Sequence, residues 1–338
     1  MSSSHPAVVR SLQVDSFPLG QRTHVALESV GDGLGRDILV PAIIVRGRHP
    51  GPVLGITAAV HGNELNGIPA IHRLLQRVDI GELRGSIVAV PVVNVPGYHR
   101  NERRFVDGDL NRIFPGKEGG TNAEVFAARF LDRAIKGLDR LVDLHTASFG
   151  RINSLYIRAD LDDDDSRTMA TSFFPQILLH NRGAEGTLRD AAMDLGVKAI
   201  TVEIGNPQRI QDSLVWWTVL GLQRVMAGLG MIDPDDSEGS PMATRPPWET
   251  AQCGRSYWIY TDRGGVLEVF PELCDRVAAG DRIAQVRDIY GKVIRDYFAP
   301  EAGVVIGKST NPVNQTGSRI LHLGIEGRPE KAPIAPDA

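Results

Sequence analysis

Short apolar runs alternate with helical patterns from about residue 38 to residue 230, and this alternation predicts an α/β layer fold. The predicted buried strands are residues 53–60, 86–94, 140–145 and 198–203. The predicted helices are residues 67–78, 122–135, 187–195 and 209–228. Three of these strands end in His61, His145 and Glu203, on the side of the sheet where α/β folds bind their ligands.

The pattern changes after residue 230 and divides the chain into four predicted parts. Residues 1–230 form the α/β domain, and residues 231–249, rich in Asp, Ser and Pro, are a linker. Residues 250–326 show short alternating runs and frequent glycines, which predict a small all-β domain. Residues 327–338 are expected to form a loose tail.

Composition excludes several classes of protein. A formal net charge of -4 without a basic stripe argues against nucleic-acid binding. No apolar run is long enough to span a bilayer, and residues 1–10 do not resemble a secretory signal. Two isolated cysteines make neither a disulfide framework nor a cysteine-ligated zinc site. We therefore expect a cytoplasmic protein in which any metal is held by histidine and carboxylate.

A histidine and a glutamate three positions apart, His61 and Glu64, follow the first predicted strand. Side chains at i and i+3 of a helical turn face the same way, so both can bind one ion. His145 is a third candidate ligand, and Asp143, two positions earlier, can orient its imidazole. Such a set leaves a fourth coordination position open, as in catalytic zinc sites. The alternative is that His61 caps a strand and Glu64 begins the next helix.

Residues 104–112 concentrate arginine, aspartate and asparagine beside turn residues. A planar guanidinium binds carboxylates through two parallel hydrogen bonds, so Asn111 and Arg112 suit a substrate carboxylate. Arg104 is placed to face a carbonyl oxygen that gains charge in the transition state. An exposed loop with surface ion pairs would have the same composition, and the pattern alone leaves both interpretations open.

Glu203 lies among apolar residues at the end of a predicted buried strand. Burial of a carboxylate is costly unless it has a partner or a task. The catalytic interpretation is a general base that takes a proton from water and later delivers it to a leaving amine. The structural interpretation is a buried ion pair with an arginine.

Four motifs together resemble the aspartoacylase and succinylglutamate desuccinylase family, which is related to the zinc carboxypeptidases. The matching segments are V-H-G-N-E-L-N-G at 60–67, R-x-x-x-x-D-L-N-R at 104–112, D-L-H at 143–145 and T-V-E-I-G at 201–205. The resemblance covers about residues 40–230 and implies a zinc-carboxypeptidase-like mixed sheet flanked by helices. The β unit at 255–326 resembles a biotinyl/lipoyl-type barrel sandwich, but the turn at 288–291 lacks the lysine of a carrier domain.

The resemblance also implies roles for individual residues. His61, Glu64 and His145 would bind one Zn²⁺ per chain. Glu203 would be the general base and acid, and Arg104 would polarise the scissile carbonyl.

Three further residues have implied positions around that centre. Asn111 and Arg112 would hold the substrate carboxylate. Asp109 would support a metal-binding histidine, by likeness to the carboxypeptidases. For Arg189, a substrate contact and a surface role are both open.

The implied activity is a zinc-dependent amidohydrolase that removes an acyl group from an N-acyl amino acid, or from a similar small carboxylate-bearing amide, by attack of metal-activated water. A zinc metallocarboxypeptidase acting on short peptides is the main alternative, and a non-catalytic binding protein is another. The sequence leaves open the acyl group, the amino acid, the physiological metal and the oligomeric state, homo-oligomers included. It also leaves open the role of the β domain.

Overall fold

The computed structural model describes residues 6–235, 237 and 239–327. The strands are β1 (Ala7–Val9), β2 (Gln21–Gly31), β3 (Asp37–Arg46), β4 (His49–Ala58), β5 (Arg84–Val90), β6 (Arg140–His145), β7 (Arg151–Asn153), β8 (Leu155–Ala159), β9 (Ile177–His180), β10 (Lys198–Ile204), β11 (Ala251–Tyr260), β12 (Gly265–Val269), β13 (Arg276–Val277), β14 (Arg282–Arg287), β15 (Val293–Phe298), β16 (Gly303–Ser309), β17 (Val313–Asn314) and β18 (Arg319–Glu326). The α-helices are α1 (Gly67–Arg77), α2 (Val95–Arg100), α3 (Asn122–Phe130), α4 (Asp164–Thr171), α5 (Leu188–Asp194) and α6 (Asp212–Gly228).

Most strands belong to one mixed sheet, with the order β1-β2-β3-β5-β4-β6-β10-β8-β9-β11-β18-β16-β13 and β7 paired to β16. At its centre β5, β4, β6 and β10 run parallel. A second, antiparallel sheet contains β15, β14, β12 and β17. The predicted α/β class is confirmed, as a large mixed sheet with a small antiparallel sheet.

Helices cover both faces of the central strands. On one face α1, α4 and α6 pack against an apolar core that includes Leu54, Leu74 and Val219. On the other face α3 and α5 pack against a second core that includes Phe126 and Leu188. Because both faces of the parallel strands are buried, their sequences are almost continuously apolar, which explains why they were predictable. In the described ranges 6–235, 237 and 239–327, no helix combines the length and apolarity needed to cross a membrane.

The predicted elements at the centre are present, with shifted ends. β5 ends at Val90 rather than at residue 94, because Asn94 caps α2 by accepting a hydrogen bond from the backbone N–H of Gly97. The helix predicted to reach residue 135 is α-helical only to Phe130 and continues as a π-helical turn, Leu131–Ile135.

Several elements were not predicted from the sequence. The N-terminal strands β1, β2 and β3 extend the sheet by antiparallel pairing of β2 with β3 and of β3 with β5. Val25 and Leu27 lie two positions apart in β2, and both are buried. The sequence of β2 therefore did contain the two-residue period of a strand with one buried face. β7, β8, β9 and α4 were also missed, because they are short and lie in a segment with many charged residues.

Four of the strands after residue 250, β11, β13, β16 and β18, join the main sheet. β11 pairs parallel to β9, and β16 pairs antiparallel to β7. Backbone hydrogen bonds thus link residues 1–230 to residues 250–326. The predicted division of the chain into 1–230, 231–249 and 250–326 stays a proposal. Of the predicted tail, only Gly327 lies within the described residues.

The core predicts a stability effect. Leu54 lies in β4 and is fully buried. We expect Leu54→Ala to lower the free energy of unfolding by about 2–5 kcal/mol, because it leaves a cavity between β4 and the helices. Leu34→Ala is the control, since that side chain is 76% exposed and its loss should change the value by less than about 0.5 kcal/mol. Urea unfolding measures both, and equal losses would contradict the assigned core.

Candidate metal centre and its pocket

Three neighbouring parallel strands bring the predicted site residues together. His145 is the last residue of β6, and Glu203 lies directly beside it in β10. His61 follows the end of β4, where Ala59 has a left-handed φ of 50° that turns the chain out of the strand. The carboxyl ends of parallel strands meet at one edge of a sheet, so these residues face one cavity.

His61, Glu64 and His145 form a compact buried group. One ligand atom from each lies within 4.8 Å of the others. Glu64 is central: its Oε1 is 2.8 Å from Nδ1 of His61, and its Oε2 is 2.9 Å from Nδ1 of His145. The structure thus brings together the three residues that the sequence proposed as ligands.

The outer nitrogens of both imidazoles are held by carboxylates. Asp109 Oδ1 lies 3.1 Å from Nε2 of His61, and Asp143 Oδ2 lies 2.6 Å from Nε2 of His145. A carboxylate can only accept, so each Nε2 donates and each Nδ1 is turned toward Glu64. These are the positions proposed for Asp109 and Asp143, and such carboxylate–histidine pairs are typical around bound metals.

One unsatisfied atom indicates that the group fits a cation. Nδ1 of His61 is buried and has no hydrogen-bond partner among the residues described, because its contact with Glu64 lacks hydrogen-bond geometry. A buried unpaired nitrogen is costly unless a ligand satisfies it. Two imidazole nitrogens and a carboxylate are a donor set that suits zinc.

Charges around the centre keep the carboxylates ionised. Burial raises the pKa of Glu64, but the charges of His61 and His145 and the hydrogen bond with His145 outweigh this effect, and the pKa lies well below its usual value. The pKa of Asp109 is also low, because His61 and Arg103 outweigh the effect of burial. For His145, Asp143 and Glu64 outweigh burial and raise the pKa. Three carboxylates, Glu64, Asp109 and Asp143, therefore surround the two imidazoles of the centre.

The glycine of the H-G-N-E motif is required by packing. A Cβ on Gly62 would lie 2.0 Å from the carbonyl carbon of Gly97 and 2.1 Å from the nitrogen of Tyr98, so the backbone of α2 passes directly against it. Asn66, two positions after the motif's glutamate, donates to the carbonyl oxygen of Ile204 at 2.6 Å. This bond ties the His61–Glu64 loop to the end of β10, which carries Glu203.

Glu203 lies at the wall of the cavity and is also ion-paired. Its Oε2 accepts a hydrogen bond from Asn153 at 3.2 Å, and its Oε1 is 3.4 Å from Nη2 of Arg158. Glu203 therefore forms the buried ion pair with an arginine that the structural interpretation expected. It also lies beside His145, as the catalytic interpretation requires. The sequence could not identify Arg158 as the partner, because β8 was not predicted.

The structure places Arg103, not Arg104, beside the metal centre. Nε of Arg103 is 2.9 Å from Asp109, and its Nη1 is 3.2 Å from Glu64. Arg104 is exposed, donates to the carbonyl oxygen of Asp107 and does not line the cavity. Arg104 therefore does not lie where the sequence analysis expected it, facing the carbonyl group of a bound substrate. The two arginines are adjacent in an irregular loop, where no periodicity indicates which one points inward.

Asn111 and Arg112 line the cavity as expected. They lie in a 3₁₀ turn, Leu110–Arg112, whose first residue follows the capping side chain of Asp109. Oδ1 of Asn111 accepts a hydrogen bond from the backbone of Leu188 at 2.9 Å, which fixes the turn against α5. Arg112 is exposed, so its guanidinium is accessible to a ligand.

The cavity has a volume of about 580 Å³, and its wall includes Arg189 and several residues that the sequence analysis did not select. Arg189 is 3% exposed and donates to Asn181, so a surface role for it is wrong. The further lining residues include Arg151, Asn153, Tyr156, Arg158, Trp258, Arg319 and His322. Three of these come from strands β11 and β18, so the C-terminal strands form part of the wall.

Comparison with known proteins identifies the same region. Residues 50–229 match the family model of the succinylglutamate desuccinylase/aspartoacylase catalytic domain. The chain is 25% identical to N-alpha-acetyl-L-2,4-diaminobutyric acid deacetylase of Halomonas elongata, over 80% of this chain and 81% of that protein. It is 32% identical to succinylglutamate desuccinylase of Pseudomonas paraeruginosa, over 47% of this chain and 52% of that protein.

Solved structures share the fold over most of the chain. The product-bound ectoine utilization protein EutE (DoeB) of Ruegeria pomeroyi has a TM-score of 0.78 and 22% identity, covering 90% of this chain and 95% of that one. A succinylglutamate desuccinylase/aspartoacylase of Rhodobacter sphaeroides has a TM-score of 0.78 and 21% identity, covering 90% and 96%. The arrangement of both sheets is therefore that of known folds.

The geometry of the centre predicts how metal binding responds to mutation. After loading with zinc and buffer exchange, the unmodified protein should retain about one ion per chain, and His145→Ala should retain almost none, because one of three ligands is lost. His24→Ala is the matched control, since His24 is exposed on β2. Elemental analysis measures the metal content. Full metal content in His145→Ala would contradict the assigned centre.

Proposed function

The chain belongs to the succinylglutamate desuccinylase/aspartoacylase family, and on this basis we propose that it is a zinc-dependent amidohydrolase that removes an acyl group from an N-acyl amino acid or a similar small carboxylate-bearing amide. One observation carries the proposal: His61, Glu64 and His145 converge on one point beside Glu203. The ligands lie at strand ends of a mixed sheet covered by helices, which supports a zinc-carboxypeptidase-like arrangement.

His61, Glu64 and His145 would hold one zinc ion, which when bound supplies Lewis-acid activation of water and of the carbonyl group. Asp109 and Asp143 orient the two imidazoles through their Nε2 atoms. Arg103 contacts both Asp109 and Glu64, and so stabilises the negative charge of the centre.

Glu203 is the proposed proton carrier. It lies beside His145 in the sheet, and Asn153 and Arg158 hold its two oxygens. A carboxylate fixed in this way can accept a proton from the attacking water and then deliver it to the leaving amine nitrogen. The ion pair with Arg158 orients the carboxylate for this task.

Arginines position and polarise the substrate in this proposal. Arg112, with Asn111, binds a carboxylate of the substrate through its exposed guanidinium. Arg103 is the proposed donor to the carbonyl oxygen that gains charge, because it lies beside the metal centre. Arg104, which the family motif indicates for that role, is tested beside it below.

The cavity matches the size of a small substrate. Its volume is about 580 Å³, and Trp258 and His322 of the C-terminal strands form one wall. A metallocarboxypeptidase needs an open path for the rest of a peptide chain, whereas an N-acyl amino acid fits within such a cavity.

Removal of the proposed base should abolish turnover but not metal binding. We expect Glu203→Gln to lower kcat on its best N-acyl amino acid by at least about a hundredfold, since general acid–base catalysis contributes that much or more. Glu268→Gln, an exposed position in β12, is the control. The measurement is steady-state kinetics with metal content determined on the same samples. Near-normal turnover of Glu203→Gln would refute the assigned base.

A pair of adjacent variants distinguishes the two arginines. Arg103→Ala should lower kcat/KM by about a hundredfold, because a donor to the developing charge is lost. Arg104→Ala should change kcat/KM by less than about threefold, as expected for an exposed side chain. Kinetics on one substrate measures both variants. If Arg104→Ala lost more activity than Arg103→Ala, Arg104 rather than Arg103 would be the donor to the carbonyl oxygen.

A further inference from the structure

Asn153 and the glycine opposite it connect Glu203 to the C-terminal strands. Nδ2 of Asn153 donates to Oε2 of Glu203 at 3.2 Å, and both side chains are buried. Asn153 is the last residue of β7, where it lies opposite Gly307 of β16. The proposed base therefore receives one of its two contacts from a residue whose backbone is paired with a strand of the C-terminal region.

The orientation of the Asn153 amide follows from its partners. A carboxylate can only accept, so the amide nitrogen faces Glu203 and the amide oxygen faces away from it. That oxygen lies against the backbone of Gly307, because a Cβ on this glycine would be 2.4 Å from Oδ1 of Asn153. Any larger residue would occupy the space of the amide oxygen. Gly307 therefore determines where the amide can lie.

Hydrogen bonds on both sides hold β16 in place. Both the backbone nitrogen and Oγ of Ser154 donate to the carbonyl oxygen of Ile306 at 3.0 Å. On the other side of β16, Gly307 lies opposite His322 of β18, and the register of this pairing shifts between Val305 and Gly307. Irregularities of this kind redirect a strand locally. Gly307 is thus held between two strands and gives Asn153 a fixed support.

We propose that Asn153 and Gly307 are positioning residues for Glu203, so that β16 sets the orientation of the carboxylate that carries the proton. The inference rests on the proposed function and deepens it, because it gives the strands after residue 250 a part in the chemical step. Neither residue exchanges a proton with the substrate. Asn153 acts through its hydrogen bond to Glu203, and Gly307 acts through Asn153.

The second partner of Glu203 explains why this support is needed. Oε1 of Glu203 lies 3.4 Å from Nη2 of Arg158. A planar guanidinium favours binding both oxygens of a carboxylate in parallel. The hydrogen bond from Asn153 holds Oε2 and opposes that arrangement. Without it the carboxylate is free to turn toward Arg158, away from the orientation in which it accepts a proton from water.

Variants of Asn153 test whether its donor matters, rather than its volume. We expect Asn153→Ala to lower kcat on the best N-acyl amino acid by about tenfold or more, since a hydrogen bond to a charged group is lost. KM should change by less than about threefold, because the contact is with the base and not with the bound substrate. Asn153→Asp keeps the shape but replaces the donor by an acceptor, and its kcat should fall at least as far. Wild-type kcat in Asn153→Asp would overturn the inference.

Gly307→Ala tests the support from outside the cavity, since Gly307 does not line it. The new Cβ would meet the mobile end of Asn153, and the carbonyl oxygen of Ile152 at 3.0 Å would need to give by only a few tenths of an ångström. We expect kcat to fall by about tenfold in the unmodified protein, but by less than about twofold in an Asn153→Ala background, because effects through one shared contact are not additive. Gly31→Ala is the control, a strand position where a Cβ would meet nothing within 4 Å.

The outcome of this double-mutant cycle decides how Gly307 acts. A full tenfold loss from Gly307→Ala in the Asn153→Ala background would show that the glycine acts by another route and would refute its assigned role. Metal content determined on the same samples should match that of the unmodified protein, since no proposed ligand is changed.

Crystal structures separate a failure of this inference from a failure of the proposed function. In Gly307→Ala, the distance between Nδ2 of Asn153 and Oε2 of Glu203 should exceed about 3.5 Å, which is outside hydrogen-bond range. The unmodified distance of 3.2 Å in that variant would contradict the inference, whatever the activity. If the unmodified zinc-loaded protein hydrolysed no N-acyl amino acid, the proposed function would be wrong, but the crystal structures would still decide whether β16 positions Glu203.

Discussion

Hydrogen bonds from the outer nitrogens of two imidazoles to two carboxylates are the interaction on which the site depends. Asp109 and Asp143 face the Nε2 atoms of His61 and His145, which turns both Nδ1 atoms toward Glu64. Thr57 in turn donates to Asp143 at 2.7 Å, so the orientation is anchored in the parallel strands themselves. The buried centre is thus arranged by the sheet, before any ligand is considered.

The sequence predicted the parts of the molecule that repeat a simple pattern. The parallel strands are apolar on both faces, and their ends carry His145 and Glu203, so both the strands and the site residues were recognisable. His61 and Glu64 were recognisable for a different reason, because side chains three positions apart in a helical turn face the same way. His61, Glu64 and His145 converge as the sequence analysis proposed.

The parts that could not be predicted depend on tertiary contacts. Arg103 and Arg104 are neighbours in an irregular loop, and only the packed structure shows that Arg103 contacts Asp109. Arg158 could be identified as the partner only once the structure showed β8, a strand of five residues separated from β7 by one residue. Trp258 and His322 lie far along the chain, and their place in the cavity wall follows from strand pairings that have no local signal.

The pairing of β11 with β9 has a practical consequence for anyone who wishes to dissect this protein. β9 has β8 on one side and β11 on the other, so a fragment that ends before residue 251 would leave one edge of β9 open. An open edge with unpaired N–H and C=O groups invites association with other chains. The family-matching part is therefore poorly suited to study in isolation, and substitutions within the intact chain are the better means of assigning roles to its N-terminal and C-terminal strands.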